Sequence, residues 1–280
     1  MWQVPFSKYE GLGNDFILVD AAALGTNALD SAQAKLLCDR HRGVGADGVL
    51  VVSEASGTAS MHIYNADGSE PEMCGNGLRC VALYLQQKKN ASPNELVVNT
   101  PAGPHACRIL GDGMSVEVEM RAPSFDPTTL PLASSLPWLD AKLSIDGLEL
   151  TATALSVGNP HLVVFDALTS SQQQKLGPRL EVDPRFTRGV NVGFATIEGE
   201  GISLRVWERG VGFTEACGTG ACAAAAAAVQ TGRLLRERAI VVSLPGGDVS
   251  VFVGKEGAPL RMAGPARHVF DGVTTLADRA

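Results

Sequence analysis

Two short stretches decide the fold of this chain: Glu72-Met73-Cys74-Gly75-Asn76-Gly77 and Glu215-Ala216-Cys217-Gly218-Thr219-Gly220. In each, a Cys-Gly-x-Gly turn precedes a segment whose composition predicts a helix, and the two cysteines lie 143 residues apart. One such cysteine would be a weak signal, but a matched pair indicates two equivalent halves. We therefore expect one site to which each half contributes a thiol.

Landmarks around these stretches recur in the same order. The first members are Gly13-Asn14-Asp15, Arg42-Gly43-Val44, Tyr64-Asn65, Cys74-Gly75 and Val97-Val98-Asn99-Thr100-Pro101, and their counterparts are Gly158-Asn159-Pro160, Arg188-Gly189-Val190, Trp207-Glu208, Cys217-Gly218 and Val241-Val242-Ser243-Leu244-Pro245. Five ordered matches at offsets of 143 to 146 residues predict a duplicated domain. The predicted halves are residues 1–121 and 122–266, joined through the proline-rich run 123–131, and we expect the tail 267–280 to pack back on the N-terminal half.

The pattern within each half predicts many strands and few helices. Strands are predicted at residues 16–20, 49–53, 60–64, 115–120, 161–165, 202–207 and 240–243, with a last strand near 269–273. Helices are predicted at 31–41 with Ser31 as N-cap, at 170–180, at 77–89 and at 218–231. The last includes six consecutive alanines, and a helix that is apolar on nearly every side is typically enclosed. We expect an α+β fold of two pseudo-two-fold duplicated domains, each a mostly antiparallel sheet wrapped around a buried central helix.

Composition narrows the class of protein. The 280 residues suffice for one large or two medium domains, and the net charge of −7 argues against a nucleic-acid partner. No apolar run is long enough to cross a bilayer and the N-terminus lacks a secretory pattern, so neither a membrane partner nor export is expected. Six cysteines without an export signal indicate reduced thiols in a cytoplasm. The spacings of Cys74 from Cys80 and of Cys217 from Cys222 do not fit a zinc knuckle, so no metal is expected.

The position of the paired cysteines suggests acid–base chemistry. The first turn of a helix presents unpaired N–H groups and about half a positive charge, which favour a thiolate and bind anions. If both helices direct their N-termini at one cavity, a carboxylate can lie between them with a sulfur on each face of the adjacent carbon. A thiolate then removes a proton from one face while a thiol returns one to the other, which is racemisation or epimerisation without a cofactor. The other four cysteines, Cys38, Cys80, Cys107 and Cys222, are interpreted as small buried residues.

These residues resemble those of the diaminopimelate epimerases, the PLP-independent enzymes that interconvert LL- and meso-diaminopimelate. The matching runs span both halves: residues 6–16, Asn65-Ala66-Asp67-Gly68-Ser69 through Gly77, Gly158-Asn159-Pro160-His161, Gly189-Val190-Asn191, and Glu208-Arg209-Gly210 through Gly220. The resemblance implies an isomerase without a cofactor, a small-molecule substrate, a homodimer and a role in lysine and peptidoglycan precursor synthesis.

The resemblance also implies roles for individual residues. Cys74 and Cys217 would be the catalytic acid–base pair, and His161 and Glu208 would tune them. Backbone amides would hold the reacting carboxylate and side chains the distal amino-acid end: Gly75, Asn76, Gly218 and Thr219 for the former, and Asn65, Asn159, Asn191, Glu208 and Arg209 for the latter, with Asn14 lining the pocket. Carboxamides and arginine suit a carboxylate, and a glutamate suits an ammonium. Gly48 departs from the family, some members of which carry a substrate-binding Gln there, and is left out of the site.

Three other interpretations stay open. Gly218-x-Gly220-x-x-Ala223 formally matches a dinucleotide-binding fingerprint, although no alternating parallel βαβ pattern surrounds it. Proline and hydroxyproline racemases also use paired cysteines, although their first motif typically has His where this chain has Asn76. A thiol redox sensor would join Cys74 and Cys217 in a disulfide.

Overall fold

A computed structural model of the chain describes residues 1–25, 27–55, 58–89, 95–111 and 113–276. Residues 277–280 of the predicted tail therefore lie outside the described residues. The chain divides into two compact units, which are Met1–Val118 with Gly264–Ala280 (unit 1) and Glu119–Ala263 (unit 2). Within the described ranges, no helix combines the length and the hydropathy needed to span a membrane.

Unit 1 is built on a mostly antiparallel sheet. Its strands are β1 (Trp2–Gly11), β2 (Asn14–Asp20), β3 (Gly48–Ala55), β4 (Thr58–Asn65), β5 (Glu95–Thr100), β6 (Gly103–Ile109), β7 (Ser115–Met120) and the late strand β17 (Arg267–Leu276); its helices are α1 (Ala21–Leu24), α2 (Ser31–Cys38) and α3 (Gly75–Lys89). The strands pair in the order β17-β1-β2-β3-β4-β5-β6-β7. Only β2–β3 and β4–β5 among these pairs are parallel, and a helix bridges each of them, as a parallel connection requires.

Unit 2 repeats this plan. Its strands are β8 (Ala141–Ile145), β9 (Leu148–Ser156), β10 (Pro160–Val164), β11 (Asn191–Glu198), β12 (Gly201–Glu208), β13 (Gly212–Phe213), β14 (Ala239–Leu244), β15 (Gly247–Phe252) and β16 (Leu260–Pro265); its helices are α4 (Ser170–Glu181) and α5 (Gly218–Gln230). The strands pair in the order β8-β9-β10-β11-β12-β14-β15-β16, with β13 also on β12. The parallel pairs β10–β11 and β12–β14 are again the ones with helical connections. The α+β class is therefore confirmed, and the two units share one pattern of strand pairing, although the outer strand of unit 1 comes from the end of the chain and that of unit 2 directly precedes β9.

The predicted strands are confirmed, whereas the helix ends differ from the predictions. All eight predicted strands overlap β2, β3, β4, β7, β10, β12, β14 and β17. The first predicted helix begins as expected but is capped by Asp30 rather than Ser31, because the Asp30 carboxylate accepts from the N–H of Gln33 and the Gln33 side chain accepts from the N–H of Asp30. It ends at Cys38 rather than at residue 41, since Asp39 leaves the helical conformation and its carboxylate accepts from the N–H groups of His41 and Arg42.

Helix α5 is enclosed within unit 2. Residues 220–229 are all buried, and the alanine run leaves no side chain beyond Cβ, so β9, β10, β11, β12, β14 and β15 all approach the helix closely. The only partly accessible residue in its first turn is Thr219. Burial of the helix on all sides fixes where its N-terminus lies, and with it the position of Cys217.

Candidate active site

Cys217 is the N-cap of α5 and is only 5% exposed. Its Sγ accepts from the N–H of Gly220 at 3.4 Å and lies 3.6 Å from Oγ1 of Thr219. A Cβ at position 220 would lie 3.2 Å from this sulfur and 2.8 Å from a methyl of Val206. Glycine at 220 therefore lets the sulfur rest directly on the helix N-terminus.

Cys74 occupies the equivalent position before α3. The N–H of Gly77 donates to its Sγ at 3.4 Å, and its carbonyl accepts from the N–H of Leu78 at 2.9 Å. The corresponding bonds in unit 2 measure 3.4 Å from Gly220 to Cys217 and 2.9 Å from Ala221 to the Cys217 carbonyl. Both cysteines thus share one local geometry, although Cys74 is partly exposed.

The protonation of Cys217 differs from what a helix N-terminus alone predicts. Burial raises the pKa of Cys217 well above its ordinary value, and the charge of Glu208 raises it further. The Thr219 side chain and the Gly220 N–H act in the opposite direction but do not outweigh burial. Cys217 is therefore a thiol at neutral pH. The sequence left open which of the two cysteines is the thiolate, and burial decides the state of this one.

Glu208 lies at the end of β12 and faces this thiol. Its carboxylate accepts a hydrogen bond from Cys217 and, at 2.6 Å, from the hydroxyl of Thr214. Arg209 follows the strand end and donates through Nη1 to the carbonyl of Arg188 at 2.7 Å. Because the strand has already ended, Glu208 and Arg209 are not forced onto opposite faces as they would be within it.

Asn191 is turned towards the backbone that carries Arg209. Its Oδ1 accepts from the N–H of Arg209 at 2.9 Å, and its Nδ2 donates to the carbonyl of Pro160 at 3.2 Å. The turn is also held by Glu181, whose carboxylate accepts from the N–H of Gly210 at 2.7 Å. Asn191 therefore positions the arginine-bearing turn in this structure.

Asn159, His161 and Thr219 form a chain of contacts in unit 2. Nε2 of His161 lies 3.0 Å from Oδ1 of Asn159, and Nδ2 of Asn159 donates to Oγ1 of Thr219 at 3.3 Å. Burial lowers the pKa of His161 to about 3, and the charge of Arg209 lowers it further. His161 is therefore a neutral imidazole at neutral pH.

Asn14 and Asn76 form the equivalent contact in unit 1. Nδ2 of Asn76 donates to Oδ1 of Asn14 at 3.0 Å, and Nδ2 of Asn14 donates to Oδ2 of Asp47 at 2.8 Å. Asn65 does not join this group, because its Nδ2 donates to Ser69 at 2.9 Å. Asp47 is a supporting residue that sequence reasoning missed, although it adjoins the glycine that departs from the family pattern.

The backbone at Gly48 leaves no room for a side chain. A Cβ there would lie 2.8 Å from the carbonyl oxygen of Tyr64 and 3.4 Å from the ring of Phe16. A glutamine could not be accommodated without moving β3 away from β4, so leaving Gly48 out of the site agrees with the local packing.

The remaining four cysteines are buried, as the sequence predicted. Burial raises the pKa of Cys38 to about 11 and those of Cys80 and Cys107 to about 12. Cys222 is buried in the alanine-rich helix. Sequence reasoning also missed three residues that support the site, Asp47, Glu181 and Thr214. Their only sequence signal is that they lie close in the chain to the quoted motifs.

Comparison with known proteins covers nearly the whole chain. The sequence model of a family described as diaminopimelate epimerase matches residues 6–125 and 153–269. A diaminopimelate epimerase of Desulforudis audaxviator is 44% identical over 273 residues, covering 95% of this chain and 98% of that protein. One from Synechocystis is 43% identical over 275 residues, with 95% and 97% covered.

Solved structures with this fold are more distant in sequence. A phenazine biosynthesis protein of the PhzF family from Bacillus anthracis has a TM-score of 0.71 at 17% identity, covering 99% of this chain and 100% of that one. A hydroxyproline epimerase from Agrobacterium vitis has a TM-score of 0.69 at 16% identity, with 97% and 91% covered. At these identities the likeness supports the fold alone.

Proposed function

The chain belongs to the diaminopimelate epimerase family, and from that premise we propose how its residues interconvert LL- and meso-2,6-diaminopimelate. The activity is that of an isomerase in lysine and peptidoglycan precursor synthesis. The proposal is carried by one observation: each unit presents a cysteine whose sulfur accepts the N–H three residues later at the start of a helix.

The reaction needs one acid and one base on opposite faces of the α-carbon. Cys217 is the acid in the first half-reaction, because burial and Glu208 raise its pKa and keep it a thiol. The Cys74 thiolate takes the α-proton, so a C–H bond breaks and an S–H bond forms. The S–H bond of Cys217 then breaks as a new C–H bond forms on the other face. At the end Cys74 is a thiol and Cys217 is a thiolate. In this state the enzyme is ready to catalyse the reverse reaction, with the roles of acid and base exchanged.

Backbone amides hold the reacting carboxylate. The amides of Gly75 and Asn76 begin α3, and those of Gly218 and Thr219 begin α5. Their N–H groups lie in the first helical turn, where intrahelical partners are missing and the helix dipole favours an anion. The same groups stabilise the negative charge that develops on the carboxylate when the α-proton leaves.

The distal amino-acid end is bound by side chains that are already oriented. Asn65, Asn159, Asn191, Glu208 and Arg209 supply its contacts, and Asn14 lines the pocket. Hydrogen bonds to neighbours fix the carboxamides of Asn159 and Asn191. A substrate with a second amino-acid end supplies the groups that an arginine and a glutamate recognise. His161, which is neutral, tunes the cysteines through hydrogen bonding rather than charge.

Deuterium incorporation tests the proposal. Reduced enzyme incubated with LL-diaminopimelate in deuterated water should give meso product labelled at the inverted α-carbon, because the returning proton comes from a thiol that exchanges with solvent. Unlabelled product, or racemisation of proline without reaction of diaminopimelate, would reject the assignment. Retention on a nucleotide column would instead favour the dinucleotide interpretation.

Single cysteine variants separate the two thiols. Cys74→Ala and Cys217→Ala should each abolish epimerisation while the melting temperature changes little. Cys107→Ala, a buried thiol on β6, is the matched control and should keep normal turnover. Near-normal activity in either of the first two variants would show that its thiol is neither acid nor base.

The proposed setting is a homodimer in a cytoplasm. Reduced catalytic thiols persist in a reducing compartment. Strand β17 exposes Val269, Phe270 and Val273, and Phe270 meets Phe6 edge to face with ring centroids 5.9 Å apart. We propose that a second copy of the chain covers this surface. Light scattering should give twice the chain mass for the wild type and the chain mass for Phe270→Asp; a dimer in both would place the interface elsewhere.

A further inference from the structure

Two hydrogen-bond chains occupy equivalent positions in the two units but run in opposite directions. The unit-1 chain consists of Asn76, Asn14 and Asp47, and the unit-2 chain of His161, Asn159 and Thr219. Each contains an asparagine from a glycine-asparagine pair that bonds to the residue two positions after the cysteine. The residue at the other end of each chain, Asp47 in unit 1 and His161 in unit 2, sets the direction in which the hydrogen bonds are donated. The Asp47 carboxylate can only accept, whereas the His161 ring can donate.

The unit-1 chain ends on an acceptor. The Asp47 carboxylate is paired with Arg40 at 2.9 Å and can only accept, so Asn14 must present its Nδ2 to it. The Asn14 Oδ1 then faces Asn76, whose Nδ2 donates to it. Both hydrogen bonds in this chain are donated in the direction away from the start of α3.

The unit-2 chain begins at a donor. His161 is neutral, and its Nε2 lies against a carbonyl oxygen, Oδ1 of Asn159, which can only accept; Nε2 therefore carries the hydrogen. Asn159 then presents its Nδ2 to Oγ1 of Thr219. The hydroxyl proton of Thr219 is left to point elsewhere, and Sγ of Cys217 lies 3.6 Å away.

We propose that the Thr219 hydroxyl donates a hydrogen bond to the thiolate form of Cys217 and is a further catalytic group of the site. Asn159 and His161 are positioning residues that aim this hydroxyl. The inference rests on the proposed two-thiol reaction, in which Cys217 must be stable both as thiol and as thiolate. It adds a side-chain role to a residue otherwise assigned to substrate only through its backbone amide.

The surroundings of Cys217 suit a group that changes protonation state. As a thiol it donates to the Glu208 carboxylate on β12. As a thiolate it accepts from the Thr219 hydroxyl and the Gly220 N–H, both at the start of α5. Glu208 is the charged group that acts on Cys217 within the described residues, and the charge of Arg209 acts on His161 instead. The hydroxyl therefore opposes the carboxylate, and their balance sets the energy difference between the two forms.

The titration of Cys217 itself tests the proposal. Full-length reduced protein labelled with ¹³C at cysteine Cβ is titrated by NMR, with the Cys217 signal assigned by its absence from Cys217→Ala. Thr219→Val removes the hydroxyl but keeps the branched shape and the backbone amide, and Thr219→Ser keeps the hydroxyl. We expect the Val variant to raise the measured pKa of Cys217 by about one unit, or tenfold less thiolate at a given pH, and the Ser variant to restore it.

Three outcomes are decisive. No shift in Thr219→Val, or equal shifts in the Val and Ser variants, would overturn the role of the hydroxyl. The positioning role requires that His161→Phe also raise the pKa of Cys217, and that it add little in the Thr219→Val background; full additivity would overturn it. Thr219→Ala replaces the Val variant if the latter does not fold. The titration uses no substrate, so a failure of epimerase activity leaves its result readable and refutes only the proposed reaction.

Discussion

Replacing Asp15 with asparagine tests how the backbone and charges around Asn14 are held in place in unit 1. The Asp15 carboxylate lies 2.6 Å from Nζ of Lys8 and 2.6 Å from Nη2 of Arg40. Lys8 is only 6% exposed, so Asp15 neutralises a buried ammonium directly beside Asn14. The backbone N–H of Asp15 also donates to Asp47, the acceptor that orients Asn14.

The magnitude follows from the pKa of Asp15. Burial raises this pKa, but hydrogen bonds from Arg40 and Lys8 outweigh burial and lower it from 3.8 to about 2. Since the folded-state value is below the unfolded one, the stabilisation is complete above about pH 4 and is lost as the pH falls through 2. The shift corresponds to about 2 kcal/mol. Asp15→Asn forfeits it at every pH and leaves the Lys8 ammonium without its carboxylate, a loss of about 2 to 3 kcal/mol at pH 7.

Urea unfolding followed by circular dichroism from pH 7 to pH 2 measures the effect. The difference in unfolding free energy between wild type and Asp15→Asn should be about 2 to 3 kcal/mol at pH 7 and should mostly disappear by pH 2. The exposed Asp271, paired with His268 and Ser7, provides a control: Asp271→Asn should stay within about 0.5 kcal/mol of wild type at pH 7. A wild-type stability in Asp15→Asn at pH 7, or a difference that does not change with pH, would refute the reasoning.

Three further predictions concern the site and its support. Asp47→Asn keeps one side-chain oxygen as an acceptor but removes the negative charge that strengthens the hydrogen bonds to this residue. Asn14 should then be less well oriented and kcat/KM should fall about tenfold, and unchanged steady-state kinetics would contradict this. Glu208→Gln removes the charge that raises the pKa of Cys217, so that pKa should fall in an NMR titration while turnover and binding are both impaired; a change in melting temperature alone would mark Glu208 as structural. Gly177→Ala brings a Cβ within 2.7 Å of the indole of Trp207 on β12, so the free energy of unfolding measured in urea should fall by about 1 to 3 kcal/mol. A fall of less than about 0.5 kcal/mol would mean that the indole ring can move aside.

The predictable part of this fold is what local composition encodes. Runs of β-branched residues predicted the strands, and the cysteine-glycine turns predicted the two central helices, because both depend on neighbours in the chain. The end of α2 depends instead on the Asp39 side chain capturing two N–H groups, which competes locally with helix continuation. Such helix ends depend on a competition between two hydrogen-bonding arrangements of similar free energy. The hydrophobic pattern of the sequence therefore does not predict them.

The candidate site was predictable in its residue types but not in its hydrogen bonds. Asn14 and Asn159 could be singled out beside glycines, but their partners Asp47 and Thr219 are 33 and 60 residues away in the chain. Only the parallel register of β2 with β3 brings Asp47 next to Asn14. The protonation of Cys217 was likewise out of reach, since it depends on burial within the folded unit rather than on the helix start.

The two units supply equivalent thiol positions, and the proposed two-thiol reaction requires one sulfur to be protonated while the other is not. A perfectly repeated environment would give both sulfurs the same pKa and would favour neither state. The chain breaks the equivalence by substitution at a few repeated positions: Glu208 aligns with Asn65, and Thr219 with Asn76. The first substitution favours the thiol of Cys217 and the second its thiolate, so both changes act on one cysteine in opposite senses. A residue balanced in this way can exchange a proton in either direction at modest cost, as an epimerase acting on both stereoisomers requires.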